Sequence, residues 1–110
     1  MNKFFLTKTA LKDMKNIYDY SLKEWGEVQA SKYLESLYDD FKLLANNKNL
    51  GKQKYNLPFF IYPSCRHSIV YQPHQNGIFV ITVLNQLRDI EGFLREFGKE
   101  LENEIVSLIS

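Results

Sequence analysis

The chain has 110 residues, 45% apolar and 25% charged, with a net charge of +1, which describes an ordinary soluble protein of one domain with one real core. Its longest apolar runs, Leu57 to Tyr62 and Ile78 to Leu84, are far too short to span a bilayer. No apolar signal core accompanies Lys3, Lys8 and Lys12, and the lone Cys65 excludes an internal disulfide, so a reducing cytoplasm is the expected setting.

Lys3 to Leu6 reads as a short first strand, after which Thr7 or Thr9 can cap a helix. The segment from Thr9 to about Asn47 reads as a helical hairpin folded at Trp25-Gly26, where glycine can take the left-handed conformation that ends a helix. Its first arm places Leu11, Met14, Tyr18, Leu22 and Trp25 at steps of three and four, and its second arm repeats this with Ala30, Leu34, Leu37, Phe41 and Leu44. Glu27 suits the start of the second helix, which fades at Asn46-Asn47. Two such narrow stripes cannot bury each other completely, so a third surface is needed.

Lys48 to Asn56 is polar, basic and contains Gly51, which predicts a loop. Phe59 to Tyr62, bounded by Pro58 and Pro63, predicts a short or edge strand. Arg66 to Gln72 is a second strand, Pro73 to Gly77 a turn carrying Asn-Gly, and Ile78 to Leu84 a third strand. The two faces of that strand, Ile78/Val80/Thr82/Leu84 and Phe79/Ile81/Val83, are both apolar, which predicts a central strand covered on both sides. The hairpin covers one. Ile90, Leu94, Phe97, Leu101, Ile105 and Leu108, again three and four apart, form an amphipathic helix that could cover the other, with a weak point or kink expected at Gly98. The fold class is therefore α+β: an N-terminal strand, a helical hairpin on a small, mainly antiparallel sheet, and a C-terminal amphipathic helix.

Charge is unevenly placed. Residues 1–47 sum to zero, 48–88 carry +5 with no acid, and 89–110 carry −4. The sheet half should attract something acidic, either nucleic acid or an acidic protein segment, unless the tail neutralises it.

Several short motifs carry a resemblance. Trp25-Gly26, Gln29-Ala30 and Tyr33, then Leu44-Ala45-Asn46-Asn47 with Leu50-Gly51-Lys52, then Arg66-His67-Ser68-Ile69-Val70-Tyr71, and finally Val83-Leu84 through Arg88-Asp89, resemble ParE-like toxins of the ParE/RelE superfamily. They stand in the family's order over residues 3 to 95, within a domain taken as 1–110 whose stretch from 98 onward is an additional tail. Asn85 stands where the family often has histidine. The resemblance implies the toxin half of a type II toxin–antitoxin pair, with growth arrest and plasmid stabilisation as its biology. It implies a ParD-type antitoxin as partner and DNA gyrase as the target of ParE-like members. RelE-like members instead cut messenger RNA on the ribosome, and a non-toxic homologue that only binds an antitoxin is a third alternative.

The residues themselves offer a thin catalytic set. A ribonuclease would draw on Arg66, His67 and Arg88, because it needs a base, an acid and cations on the phosphate. His67 shares a largely apolar face with Ile69 and Tyr71 and reads first as a half-buried packing residue. Cys65 has no orienting acid in its region, and two histidines with one cysteine lack metal-ligand spacing, so no metal or cofactor is expected. Arg66 and Arg88 read as guanidinium groups for a carboxylate of the antitoxin or target, with Arg88 alternatively pairing Asp89. Arg66, Tyr71, Arg88, Asp89 and Phe93 are the expected binding residues, and Trp25 the packing anchor of the hairpin. The amphipathic tail leaves a homodimer open.

Overall fold

The computed structural model describes residues 2–109 and has eight elements: β1 (Lys3–Leu6), α1 (Lys8–Trp25), α2 (Glu27–Asn46), β2 (Lys52–Gln53), β3 (Phe60–Ser64), β4 (His67–His74), β5 (Gly77–Asn85) and α3 (Ile90–Ile109). The five strands form one sheet in the order β1-β5-β4-β3-β2, with β1 parallel to β5 and the other pairs antiparallel. The α1–α2 hairpin lies on one face and α3 on the other, so the expected α+β class holds and α3 is the second cover.

Thr7 starts α1 by accepting from the Ala10 amide, and Gly26 at φ +85° ends it, its N–H donating to the Leu22 carbonyl. The face α1 buries differs from the stripe read in the sequence. Ala10, Met14, Ile17 and Ser21 point inward, whereas Leu11, Leu22 and Trp25 remain exposed. Small residues at positions 10 and 21 let the helix approach the sheet closely, a gain that a simple count of large apolar side chains does not register. In α2 the expected Ala30, Leu37, Phe41 and Leu44 are buried, with Leu34 partly so.

The stretch predicted as a loop contains β2, which pairs Lys52 with Ile61 and Gln53 with Phe60. Pro63 lies inside β3, beyond the two residues that β2 covers, where its missing N–H leaves no sheet hydrogen bond unmade. Arg66 belongs to the β3–β4 turn, while Pro73 and His74 continue β4.

β5 is buried along Gly77–Leu84, as a central strand should be. Its alternation is broken once. Tyr71 pairs with Val80 and Val70 with Thr82, which leaves Ile81 as the extra residue of a bulge. Beyond it the faces exchange, so Val83 joins the hairpin-side core and Leu84 the α3-side core, against the simple period-two reading. The Ile81 carbonyl accepts a 2.7 Å bond from the Thr7 hydroxyl, so one residue caps α1 and satisfies the bulge. Where β1 ends, α1 takes over the edge of β5. Asp13 accepts from the Val83 amide at 3.0 Å and the Thr82 hydroxyl at 2.5 Å, and burial pushes its carboxyl above the usual range.

The helix α3 is continuous through Gly98; no kink occurs there. A Cβ on Gly98 would stand 2.9 Å from Cε2 of the buried Phe59 ring, so the glycine provides the close approach of α3 to the sheet. Leu94, Leu101 and Ile105 complete that contact, and Glu104 accepts from the Thr9 amide and hydroxyl at 2.9 and 2.7 Å, capping the first turn of α1 from another helix. Of the α3 stripe, Leu94, Leu101 and Ile105 are thus buried on the chain's own sheet, while Phe97 and Leu108 stay exposed. Among the described residues no helix is long and apolar enough to cross a membrane.

Candidate functional site: an aromatic cleft at the end of the sheet

Three segments converge at one end of the sheet: the α1–α2 junction, the β3–β4 turn at Cys65-Arg66, and Asn85 to Leu87 after β5. They enclose an open cleft of about 620 Å³, walled on the α1 side by Asn16, Ile17, Tyr20 and Ser21.

The turn is held in place by its backbone. Cys65 adopts φ +54°, a left-handed conformation that costs a non-glycine residue about 1–2 kcal/mol. The Arg66 amide donates to the Tyr33 hydroxyl at 3.2 Å, and its carbonyl accepts from the Gln86 amide at 2.9 Å. The Gln86 side chain donates to the His67 carbonyl at 3.0 Å. With its backbone tied on both sides, Arg66 can place its guanidinium over the Trp25 ring, 4.9 Å from the centroid. Tyr20 packs edge-on against the same indole, at 6.1 Å.

His67 lies behind this stack. Its Nδ1 is 2.6 Å from the Tyr33 hydroxyl, and burial lowers its pKa below the ordinary 6.5, so the ring is neutral at pH 7. Burial also raises the Tyr33 pKa above 10.0, which keeps its hydroxyl protonated. That hydroxyl accepts from the Arg66 amide and shares a hydrogen bond with Nδ1, joining the turn to the imidazole through one side chain.

The expected binding residues separate. Arg66 lines the cleft; Arg88 does not, and stacks instead over Phe93 at 4.6 Å, with Phe93 against Phe97 at 5.0 Å. The one salt bridge among the described residues joins Arg95 and Glu91, so neither Arg66 nor Arg88 is paired with an acid there. Asp89 does not pair with Arg88 but caps α3, accepting from the Gly92 amide at 3.1 Å. Tyr71 must be corrected: it is 0% exposed, and its hydroxyl accepts from the Gly51 amide at 2.9 Å and donates to the Lys48 carbonyl at 2.7 Å. A side chain with no surface cannot meet a partner; Tyr71 holds the β2 approach to the core.

Trp25, expected as a packing anchor, is instead partly exposed in the cleft wall. Tyr20 belongs to the four hairpin tyrosines, with Tyr18, Tyr33 and Tyr38, that cannot all face inward and of which some are expected to form an aromatic surface for a partner; Leu87, 97% exposed at the rim, is a lining residue that the sequence did not single out. His74 lies elsewhere, packed on Phe79 at 4.7 Å. Among the described residues no group of three or more His, Cys, Asp or Glu is placed to hold a metal ion.

A helical hairpin over a five-stranded mixed sheet ends in an open cleft of exposed aromatic side chains and an unpaired guanidinium, which defines a small α+β protein with an aromatic, cationic cleft at one end of its sheet. The chain belongs to the family described as the ParE toxin of the type II toxin–antitoxin system parDE, whose family model matches residues 4–90. None of the curated proteins matches it. Twelve chains of solved structures do, among them one described as the chromosomal ParDE TA system from P. aeruginosa, with a TM-score of 0.67 and 18% identity over 77% of this chain and 96% of that one. At that identity the likeness is one of fold. The family match ends at the first residue of α3, so nearly all of that helix lies outside it.

Proposed function

We propose that this ParE-family toxin arrests growth in the cytoplasm by binding DNA gyrase, and that a ParD-type antitoxin neutralises it by covering the cleft around Arg66. The observation that carries this reading is the Arg66–Trp25 stack with Tyr20 beside it and Leu87 projecting at the rim. Trp, Tyr and Arg are the residue types that dominate protein-binding hot spots. An antitoxin segment that folds on contact would bring carboxylates to Arg66 and, outside the cleft, to Arg88 above Phe93. Family membership supports the toxin and its antitoxin partnership.

One observation favours a second reading, ribosome-dependent cleavage of messenger RNA. Arg66, the neutral His67 and Tyr33 share one cleft, which supplies a base and a cation for phosphate chemistry. Two assays run together separate the readings. Purified protein should abolish gyrase supercoiling and leave ribosome-bound messenger RNA intact; cut RNA with normal supercoiling would overturn the proposal in favour of the nuclease.

A further inference from the structure

A second cleft, of about 590 Å³, adjoins the first at the Arg66–Trp25 stack, and Gln29, Lys32 and Ser36 of α2 complete its walls. Trp25, Tyr33 and Arg66 line both clefts, so the two adjoin across the guanidinium. Neither wall contains a carboxylate. The charged groups are Lys32 and Arg66, and most of the remaining polar groups are neutral amides and hydroxyls such as Gln29, Ser36 and Asn16.

Each component answers to a part of one ligand. Cations hold phosphates, aromatic faces and guanidinium planes stack on bases, and amides meet base edges. An acidic peptide would use the two cations but carries a planar side chain only at some positions, whereas every nucleotide brings a phosphate and a planar base together. A duplex keeps its base faces stacked inside. We infer that the paired clefts bind a short stretch of an unpaired nucleic-acid strand, with phosphates at Lys32 and Arg66 and bases on the rings of Tyr20 and Trp25.

The inference rests on the reading that the toxin acts at an enzyme that opens DNA, and it deepens it. A strand phosphate and an antitoxin carboxylate compete for one guanidinium, so neutralisation would include expulsion of the strand.

The test is fluorescence anisotropy of the full chain with labelled oligo(dT), oligo(U) and a hairpin duplex over a range of salt. Single strands should bind more tightly than the duplex. Lys32→Ala and Arg66→Ala should each lower the salt slope by about one, and Tyr20→Ala should weaken binding about tenfold. Lys54→Ala, outside both clefts, should change neither affinity nor competition by antitoxin. Absence of single-strand binding, equal binding of the duplex, or the same effect from Lys54→Ala as from Lys32→Ala would overturn the inference. No gyrase is present in this measurement. A toxin that blocks supercoiling yet ignores oligonucleotides would refute the strand site alone, and one that binds strands without touching supercoiling would refute the gyrase reading alone.

Discussion

The Tyr33 hydroxyl bridges the Arg66 amide, at 3.2 Å, and His67 Nδ1, at 2.6 Å, so α2 holds both the turn that carries the cleft's guanidinium and the histidine behind it. Burial holds the His67 pKa below 6.5 in the folded chain. In the window between the folded pKa and 6.5 the unfolded chain therefore binds more protons. Stability is complete above 6.5, declines as pH falls through that window, and levels off below the folded pKa. Urea midpoints between about pH 5 and 8 should show this decline in the wild type, and it should be absent from His67→Gln, whose amide oxygen can still accept from Tyr33. Identical profiles for the two proteins would contradict a desolvated His67.

Trp25 is the chain's single tryptophan, so its fluorescence reports the cleft directly. Arg66→Ala should change the emission by removing the cation above the ring. Cognate antitoxin should shift the wild-type maximum to the blue as the half-exposed indole is covered. A spectrum indifferent to saturating antitoxin would place the antitoxin elsewhere.

Tyr71→Phe separates packing from recognition. Removing the hydroxyl leaves the buried Gly51 amide without its acceptor and the Lys48 carbonyl without its donor, at a cost of about 1–3 kcal/mol. Chemical denaturation should register that loss, and calorimetry should show antitoxin affinity within about twofold of the wild type, because the ring has no exposed surface.

Gly98→Val tests how α3 is seated. Its Cβ would meet the Phe59 ring 2.9 Å away, and with both groups buried the strain falls on the core, costing about 1–3 kcal/mol or more. A variant as stable as the wild type would mean that α3 does not press on Phe59.

These tests also mark what could be read from the residues in advance. The hairpin, its Gly26 hinge, the central β5 and the covering role of α3 follow from periodicity and turn chemistry, which are local. The inward face of α1 does not, because Leu11, Leu22 and Trp25 keep helical spacing although Ala10, Ile17 and Ser21 are what the sheet accepts. The Ile81 bulge depends on pairing with Tyr71 and Val70, residues about ten positions away, and no local pattern announces it. At the site, Arg66 was legible as a cation in a basic, acid-free segment, although the residues read as the start of a strand and the structure puts it in the turn before β4. Its contacts with Trp25 and Tyr33 were not, since contact across 41 and 33 residues is set by where the hairpin docks. Gly98 invited the reading of a helix breaker, and its use as a point of close approach appears only when Phe59 is seen against it.

The central claim is that the Arg66–Trp25 cleft is the working surface of the toxin. Titrating purified gyrase with the wild type and with Arg66→Ala, after circular dichroism has shown equal folding, tests it most directly. Removal of a stacked, unpaired arginine at a hot spot should cost about 1.4 kcal/mol or more of binding, so the concentration that halves supercoiling should rise at least about tenfold. Equal inhibition by the two proteins would contradict the claim and move the search for the working surface away from this end of the sheet.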